Sequence, residues 1–212
     1  GYFGTAIDLD GTYKDENDLI RRYRAMSIHP ECDRAIDDVV NEAIAGELDD
    51  TPVDVELSNL KVGAGIKKKI REEFFNVLRL LDFDKKAYDI FRRWYIDGKI
   101  YYHKMIDPKN PRGGITELRY IDPRKIKKVR EVRKQRVDGV PGSFSFSDKF
   151  QEYFLFNEKG MHPTAASNVG GLKIATDAIS YCPSGLIDQT HNLVLSYLHK
   201  AIKPVNQLRM IE

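Results

Sequence analysis

Residues 6–12 read AIDLDGT, which sets two carboxylates, Asp8 and Asp10, two positions apart behind an apolar approach. Paired carboxylates are the raw material of acid–base and metal-assisted chemistry. The other groups with chemical potential are scattered. Asp107 and Asp122 each precede a proline, the pattern of a turn opener whose carboxylate accepts from backbone N–H groups while proline fixes φ. Asp37 and Asp38 are neighbours on an acidic helix without a His or third ligand at helical spacing, so they read as a solvated or partner-facing surface. His103 stands between Tyr102 and Lys104 with no nucleophile or ligand at meaningful spacing. His191 and His199 are more than two helical turns apart, too far to share one ion. Cys32 begins an acidic helix that raises its thiol pKa. No G-x-x-x-x-G-K-[ST] loop occurs, which excludes a P-loop ATPase. Catalytic, cofactor-binding and metal-ligating residues are therefore all expected to be absent.

The elements around these groups follow from period and punctuation. At 212 residues the chain can bury a substantial core. Its net charge of +2 gives no global signature of nucleic-acid or membrane binding. No apolar run of about 18 residues occurs, no signal-peptide pattern opens the chain, and Cys32 and Cys182 lack the short-spaced partners of a disulfide framework or zinc site. A first helix is predicted over about Asn17–Ser27. A second begins at Pro30, with Ala35, Ile36, Val39, Val40, Ala43 and Ile44 as its apolar face and Gly46 as its stop. After the extended VDVEL, a third helix runs from about Ala64 and buries Ile66, Ile70, Phe74, Leu78 and Leu81. Lys67, Lys68, Lys69 and Arg71 crowd its first turns, where the helix dipole disfavours cations. Residues 31–56 are acidic, with Arg34 the one base. Acidic and basic surfaces on one chain favour self-association or an intramolecular contact. A fourth helix starts with Asp84 as N-cap, buries Ala87, Tyr88, Phe91, Trp94 and Tyr95, and stops at Gly98. The period then shortens: KIYYHKMI, ITELRYI, KIKKVREV, KFQEYFLFN, LKIAT and DAISYC read as strands, with VDGVPGSFSFS a turn-rich break. From about Ile187 a helical period returns, with Val194, Leu198, Ala201, Ile202, Val205 and Leu208 near a heptad seam and Pro204 as a kink. The fold class is α+β: N-terminal helices, a β-rich middle and a long kinked C-terminal helix. The expected divisions are 1–15 as a connecting segment, 16–98 helical, 99–182 β-rich and 183–212 the last helix. The start at Gly1 and the uncapped helical end at MIE are expected of a piece of a longer polypeptide.

The string D-x-D-G-T is similar to the nucleophile motif of haloacid-dehalogenase-type phosphatases. That resemblance would make Asp8 the nucleophile on phosphorus and Asp10 the general acid and base, with Mg2+ between them. Its context argues otherwise. The motif needs a buried strand before its first aspartate, and GYFGTAI is weakened by Gly1 and Gly4. Helices then follow without the alternating strands of such a fold. Asp-Gly is better read as a turn.

A longer likeness lies downstream. FRRWYIDGKIYYHKMIDPKNPRGGITELRYIDPRKIKKVREV, residues 91–132, closely resembles the portal vertex proteins of contractile-tailed bacteriophages. LIRRYRAMSIHPECDRAIDDVVNEAI at 19–44, EYFLFN at 152–157 and SGLIDQTHNLVLSYLHKAIKPVNQLRMIE at 184–212 extend the resemblance. It implies the N-terminal half of a portal chain: a wing region, helical over 16–98 and β-rich over 99–182, leading into the first stem helix. It further implies a dodecameric ring at one capsid vertex that nucleates head assembly, docks the terminase large subunit and passes double-stranded DNA. Such a ring meets major capsid and scaffold proteins and later neck proteins, in the virion and, during assembly, the host cytoplasm. A low net charge suits a conduit, because a strongly basic lining would hold the duplex too tightly to slide.

Two basic groups follow. The run RKIKKVREVRKQR, residues 124–136, offers Lys125, Lys127, Lys128, Arg130, Arg133 and Lys134 as a surface for DNA or an acidic partner. Its alternative reading is a lysine-protected edge strand or subunit contact. Ile126, Val129 and Val132 do not share one strand face, so a bulge or twist is expected there. On the last helix Lys200, Lys203 and Arg209 are candidates for facing the channel or a neighbouring subunit. Trp94, flanked by Arg92, Arg93 and Tyr95, is either an interface anchor or core packing beneath outward arginines, and its helical face favours the core.

Overall fold

The computed structural model describes residues 16–44, 52–137, 145–161, 171–188 and 193–211; for 131–137, 145–150, 209 and 211 it describes the backbone alone. Asp8, Asp10, Gly46, His191 and the VDGVPGSFSFS turn's residues 138–144 lie outside the described residues.

Helices α1 (Glu16–Met26), α2 (Pro30–Ile44), α3 (Ala64–Leu81) and α4 (Phe83–Asp97) precede the strands. α1 begins with Glu16 and Asp18 and ends near Arg24, each charge favourable at its end of the dipole. Pro30 occupies the first position of α2, where its missing N–H costs nothing. α4 stops where Gly98 adopts φ 74° and donates its N–H to Trp94 O at 2.9 Å. Asp82, at φ 50°, both ends α3 and starts α4. It takes the N-cap position expected of Asp84, which instead lies in the first turn; no side-chain cap forms.

Strands β1 (Lys99–Ile106), β2 (Ile115–Ile121), β3 (Ile126–Val137), β4 (Ser145–Phe156), β5 (Leu172–Ala175) and β6 (Ile179–Pro183) make two antiparallel three-stranded sheets, ordered β2-β1-β6 and β3-β4-β5. The bulge expected in the basic run is absent, since β3 pairs with β4 without a slip from Ile126↔Phe156 to Val137↔Ser145. Part of the turn-rich break, residues 145–147, is strand. Tyr101, Ile121, Ile126, Phe154, Ile174 and Ile179 close between the sheets. Tyr101 stacks on Tyr181 at 4.7 Å and meets Phe154 edge-on at 6.0 Å, geometries that aromatic quadrupoles favour.

The expected long kinked helix from Ile187 is corrected. Ile187–Asp188 (β7) and Leu193–Val194 (β8) pair as a short hairpin, a 3-10 turn covers Tyr197–Ala201, and α5 runs only over Ile202–Ile211. Pro204 produces no kink because it lies in the first turn of α5, whose N–H groups have no intrahelical partner to lose. Ser196 starts this segment: it is fully buried, its Oγ accepts from Leu198 N at 3.0 Å and donates to Tyr95 O at 3.0 Å.

The helical core joins Leu19, Tyr23, Met26, Ile36, Val40, Ile96, Leu198 and Ile202. α2 therefore buries Ile36 and Val40 of its expected face and half-buries Ile44, while Ala35, Val39 and Ala43 stay exposed. α3 departs further. It buries none of its residues fully; Ile70, Phe74, Leu78 and Leu81 are half-buried and Ile66 is 54% exposed. Its apolar stripe is thus left partly uncovered by the described residues.

Candidate functional site

The densest set of ionisable groups sits where the helices meet the sheets. Arg24 near the end of α1 reaches Asp97, the last residue of α4, through Nε–Oδ1 at 2.8 Å and Nη2–Oδ2 at 2.7 Å. The same guanidinium reaches Asp122, beyond β2, at 3.0 Å from Nη1 and 3.2 Å from Nη2. Arg124 completes the cluster at 2.7 Å from Asp122, whose Oδ1 also accepts from Arg124 N at 2.9 Å. Asp122 is thus the turn opener that Asp-Pro promises, as is Asp107, which accepts from Lys109 N. The fork of Arg24 turns the first of these turns into a junction.

Electrostatics follow from burial. Asp97 is 2% exposed, and desolvation pushes its carboxyl up against the hydrogen bonds and charge of Arg24. Burial also pushes Asp122 up, but hydrogen bonds from Arg124 and Arg24 outweigh it and hold the group well below the usual carboxylate range. Beside the cluster opens a cleft of roughly 400 Å³, lined by Arg24, Arg93, Ile96, Asp97, Tyr120 and Asp122. Arg93 lies 5.0 Å over the Tyr120 ring, and burial and the nearby carboxylates push the Tyr120 phenol up to about 12. Two guanidiniums face two carboxylates here, so the cleft presents neither a net anion site nor a free base. Among the described residues no group of three or more His, Cys, Asp or Glu could hold a metal ion.

A second tie joins Glu16 to Lys99, whose side chain is 2% exposed, and Asn17 Nδ2 donates to Met161 O at 2.7 Å. α1 is therefore fastened to both helices and strands. Arg92 binds Asp33 at 2.5 Å and Asp37 at 2.9 Å, and Tyr88 Oη donates to Asp37. Of the arginines beside Trp94, Arg92 is half-buried in these ion pairs, whereas Arg93 lies over Tyr120 and stays exposed. Trp94 is half-buried against Phe91 and Tyr197, and its buried Nε1 meets no acceptor among the described residues. Cys32 packs on the helical core, where burial and then Glu31 push its thiol up. His103 stands in β1 opposite Arg119 and Ile179.

The basic candidates do not converge. Lys125 follows Arg124 in the 3-10 turn before β3. Lys127, Lys128 and Arg130 project from β3, an edge strand, and Lys128 and Arg130 bridge to Glu152 at 2.7 and 3.7 Å. Arg133 and Lys134 stand opposite Lys149 and Asp148 in the register. Lys200 and Lys203 are exposed at the entry to α5, and Arg209 lies near its end.

His199 lies in the same entry, where Tyr23 Oη and His199 Nδ1 are 2.7 Å apart. Burial lowers the imidazole pKa against the opposing charge of Asp188. A histidine kept neutral by folding contributes stability above its unfolded pKa of about 6.5 and loses it as pH falls through the lower folded value. Urea midpoints should therefore drop between pH 7.5 and 5.5 by more in the native chain than in His199→Gln. Equal drops would show that this contact does not resist protonation.

A family model described as Bacteriophage T4-like portal protein (Gp20) matches residues 16–212. The chain belongs to the T4-like portal protein family. The portal protein of Vibrio phage KVP40 is 37% identical over 203 residues, covering 92% of this chain and 38% of that protein. The portal protein of Salmonella phage ViI is 30% identical over 198 residues, covering 90% and 35% respectively. The chain thus spans little more than a third of the length of these portal relatives. The portal match includes every residue of the Arg24 junction and begins after AIDLDGT.

Proposed function

We propose that this chain is the wing part of a portal subunit and the start of its stem. Twelve copies of the full protein would form a ring at one capsid vertex, nucleate head assembly and dock the terminase large subunit. The ring would pass double-stranded DNA into and out of the head. Major capsid and scaffold proteins, and later neck proteins, would be its other partners, first in the host cytoplasm and then in the virion. The role is structural rather than enzymatic, with no cofactor or metal. The family match over residues 16–212 carries this reading. It is supported chemically by the Arg24 junction, in which both carboxylates are committed to guanidiniums.

Residues 16–98 and 99–182 would form the helical and β-rich parts of the wing, and 183–212 the approach to the stem. Lys200, Lys203 and Arg209 would face the channel or a neighbouring subunit. The basic run from Lys125 to Lys134 would guard an edge strand or meet an acidic partner, with cross-strand pairing to Glu152 favouring the first. Negative-stain electron microscopy of the full-length protein should show rings. A full-length protein that sediments only as a monomer would overturn the proposal.

A further inference from the structure

Two helical faces are left uncovered, and they match. On α3, Lys68, Arg71, Phe75 and Arg79 are spaced three and four apart, which puts them on one face. All four are exposed, Phe75 by 43%. The flank of α3 beside this face, through Phe74 and Leu78, is half-buried. On α2, Glu31, Ala35, Asp38 and Glu42 share an outward face with the same kind of spacing, bordered by Val39 at 38% exposure. The inner acids of α2, Asp33 and Asp37, are bound to Arg92. Among the described residues no ion pair engages Glu31, Asp38 or Glu42, and none joins α2 to α3.

We propose that this face of α3 packs antiparallel on the acidic face of α2 of a second copy of the chain. In that direction Arg79 meets Glu31, Phe75 lies on Ala35, Arg71 meets Asp38 and Lys68 meets Glu42. Each face runs about 16 Å at the helical rise of about 1.5 Å per residue. The parallel direction fails, because it sets Phe75 on Asp38. Phe75 supplies the desolvated anchor, and the small side chain of Ala35 lets the helices approach. Glu72, paired with Lys68 at 3.9 Å, shares the α3 face and Arg34 borders the α2 face, each the one charge of the minority sign on its surface. Because donor and acceptor faces are different surfaces of one chain, the contact is head-to-tail, the kind that closes into a ring. The inference rests on the portal reading and names the surfaces that would join neighbouring subunits.

The test uses full-length protein and mass photometry. Lys68→Glu, Arg71→Glu and Arg79→Glu together should reduce rings at least about tenfold, since like charges across an interface oppose association. Glu31→Lys, Asp38→Lys and Glu42→Lys together should do the same, and combining both sets should restore rings. All six positions are exposed, and matching circular-dichroism melts would verify folding. Independently, carbodiimide treatment of unmodified rings should give a Lys68–Glu42 amide in the cross-linked dimer band. Unaffected rings, no rescue in the combined variant, or no interchain Lys68–Glu42 link would each overturn the interface while leaving the portal reading intact. Absence of rings in the unmodified protein would overturn that reading itself.

Discussion

Arg24→Met should lower the stability of the 212-residue chain by about 3–5 kcal/mol, the usual cost of breaking a buried ion pair by removing one partner. Asp97 is the reason. It is 2% exposed, it loses both guanidinium donors at once, and it sits at the negative end of the α4 dipole. Asp122 suffers less because Arg124 remains bound to it. Methionine keeps much of the packed stem, so the loss reports the charge rather than a cavity. Urea unfolding followed through Trp94, the one tryptophan, measures it directly. Adding Asp97→Asn should recover part of the loss, since a buried amide is cheaper than an unpaired carboxylate. Arg24→Lys should recover little, because a single ammonium cannot fork across two carboxylates. A loss under about 1 kcal/mol for Arg24→Met would mean that the junction is not what fastens α1.

That junction was invisible to sequence reading for a physical reason. Arg24 is separated from Asp97 by 73 residues and from Asp122 by 98, and neither periodicity nor capping patterns couple positions that far apart. Only its local part was legible, the Asp122-Pro123 turn, because Asx turns are written in adjacent residues. The strands KIYYHKMI and ITELRYI read cleanly for the same reason: β-branched and aromatic residues between turn signals specify themselves. Apolar periodicity was less reliable, since it names a face that wants cover without naming the cover. Ile36 and Val40 of α2 found it within the chain, whereas Ile66 of α3 did not. The last helix was over-extended because Val194 falls on both a heptad seam and a hairpin strand. Pro204 reads as a kink only in a helix that begins far upstream of it, and α5 begins at Ile202.

Gly98→Ala should cost at least about 3 kcal/mol, more than most substitutions of similar size. Two effects combine. Gly98 has φ +74°, and an L side chain in that region costs about 1–2 kcal/mol. A Cβ there would also lie 2.6 Å from Leu195 O and 2.8 Å from Ser196 N, all of it backbone that no rotamer change can move. Gly114→Ala bounds the first effect from above, because nothing lies within 4 Å of its Cβ position but its φ of 84° and ψ of −160° place it in a region still less open to L side chains than that of Gly98. Any loss in Gly98→Ala beyond that in Gly114→Ala therefore belongs to the clash. It should be felt at a distance, since Gly98 O accepts from Ser184 N at 2.7 Å and Ser196 starts the turn into α5. Hydrogen exchange in Gly98→Ala should accelerate at Leu198 and through α5 while β3 and β4 keep their protection. Unchanged exchange through α5 in Gly98→Ala would instead release α5 from any dependence on Gly98. In the proposed portal reading that dependence would register the wing against the stem, because a glycine lets α4 end, β1 begin and the approach to α5 pass within contact of the same peptide.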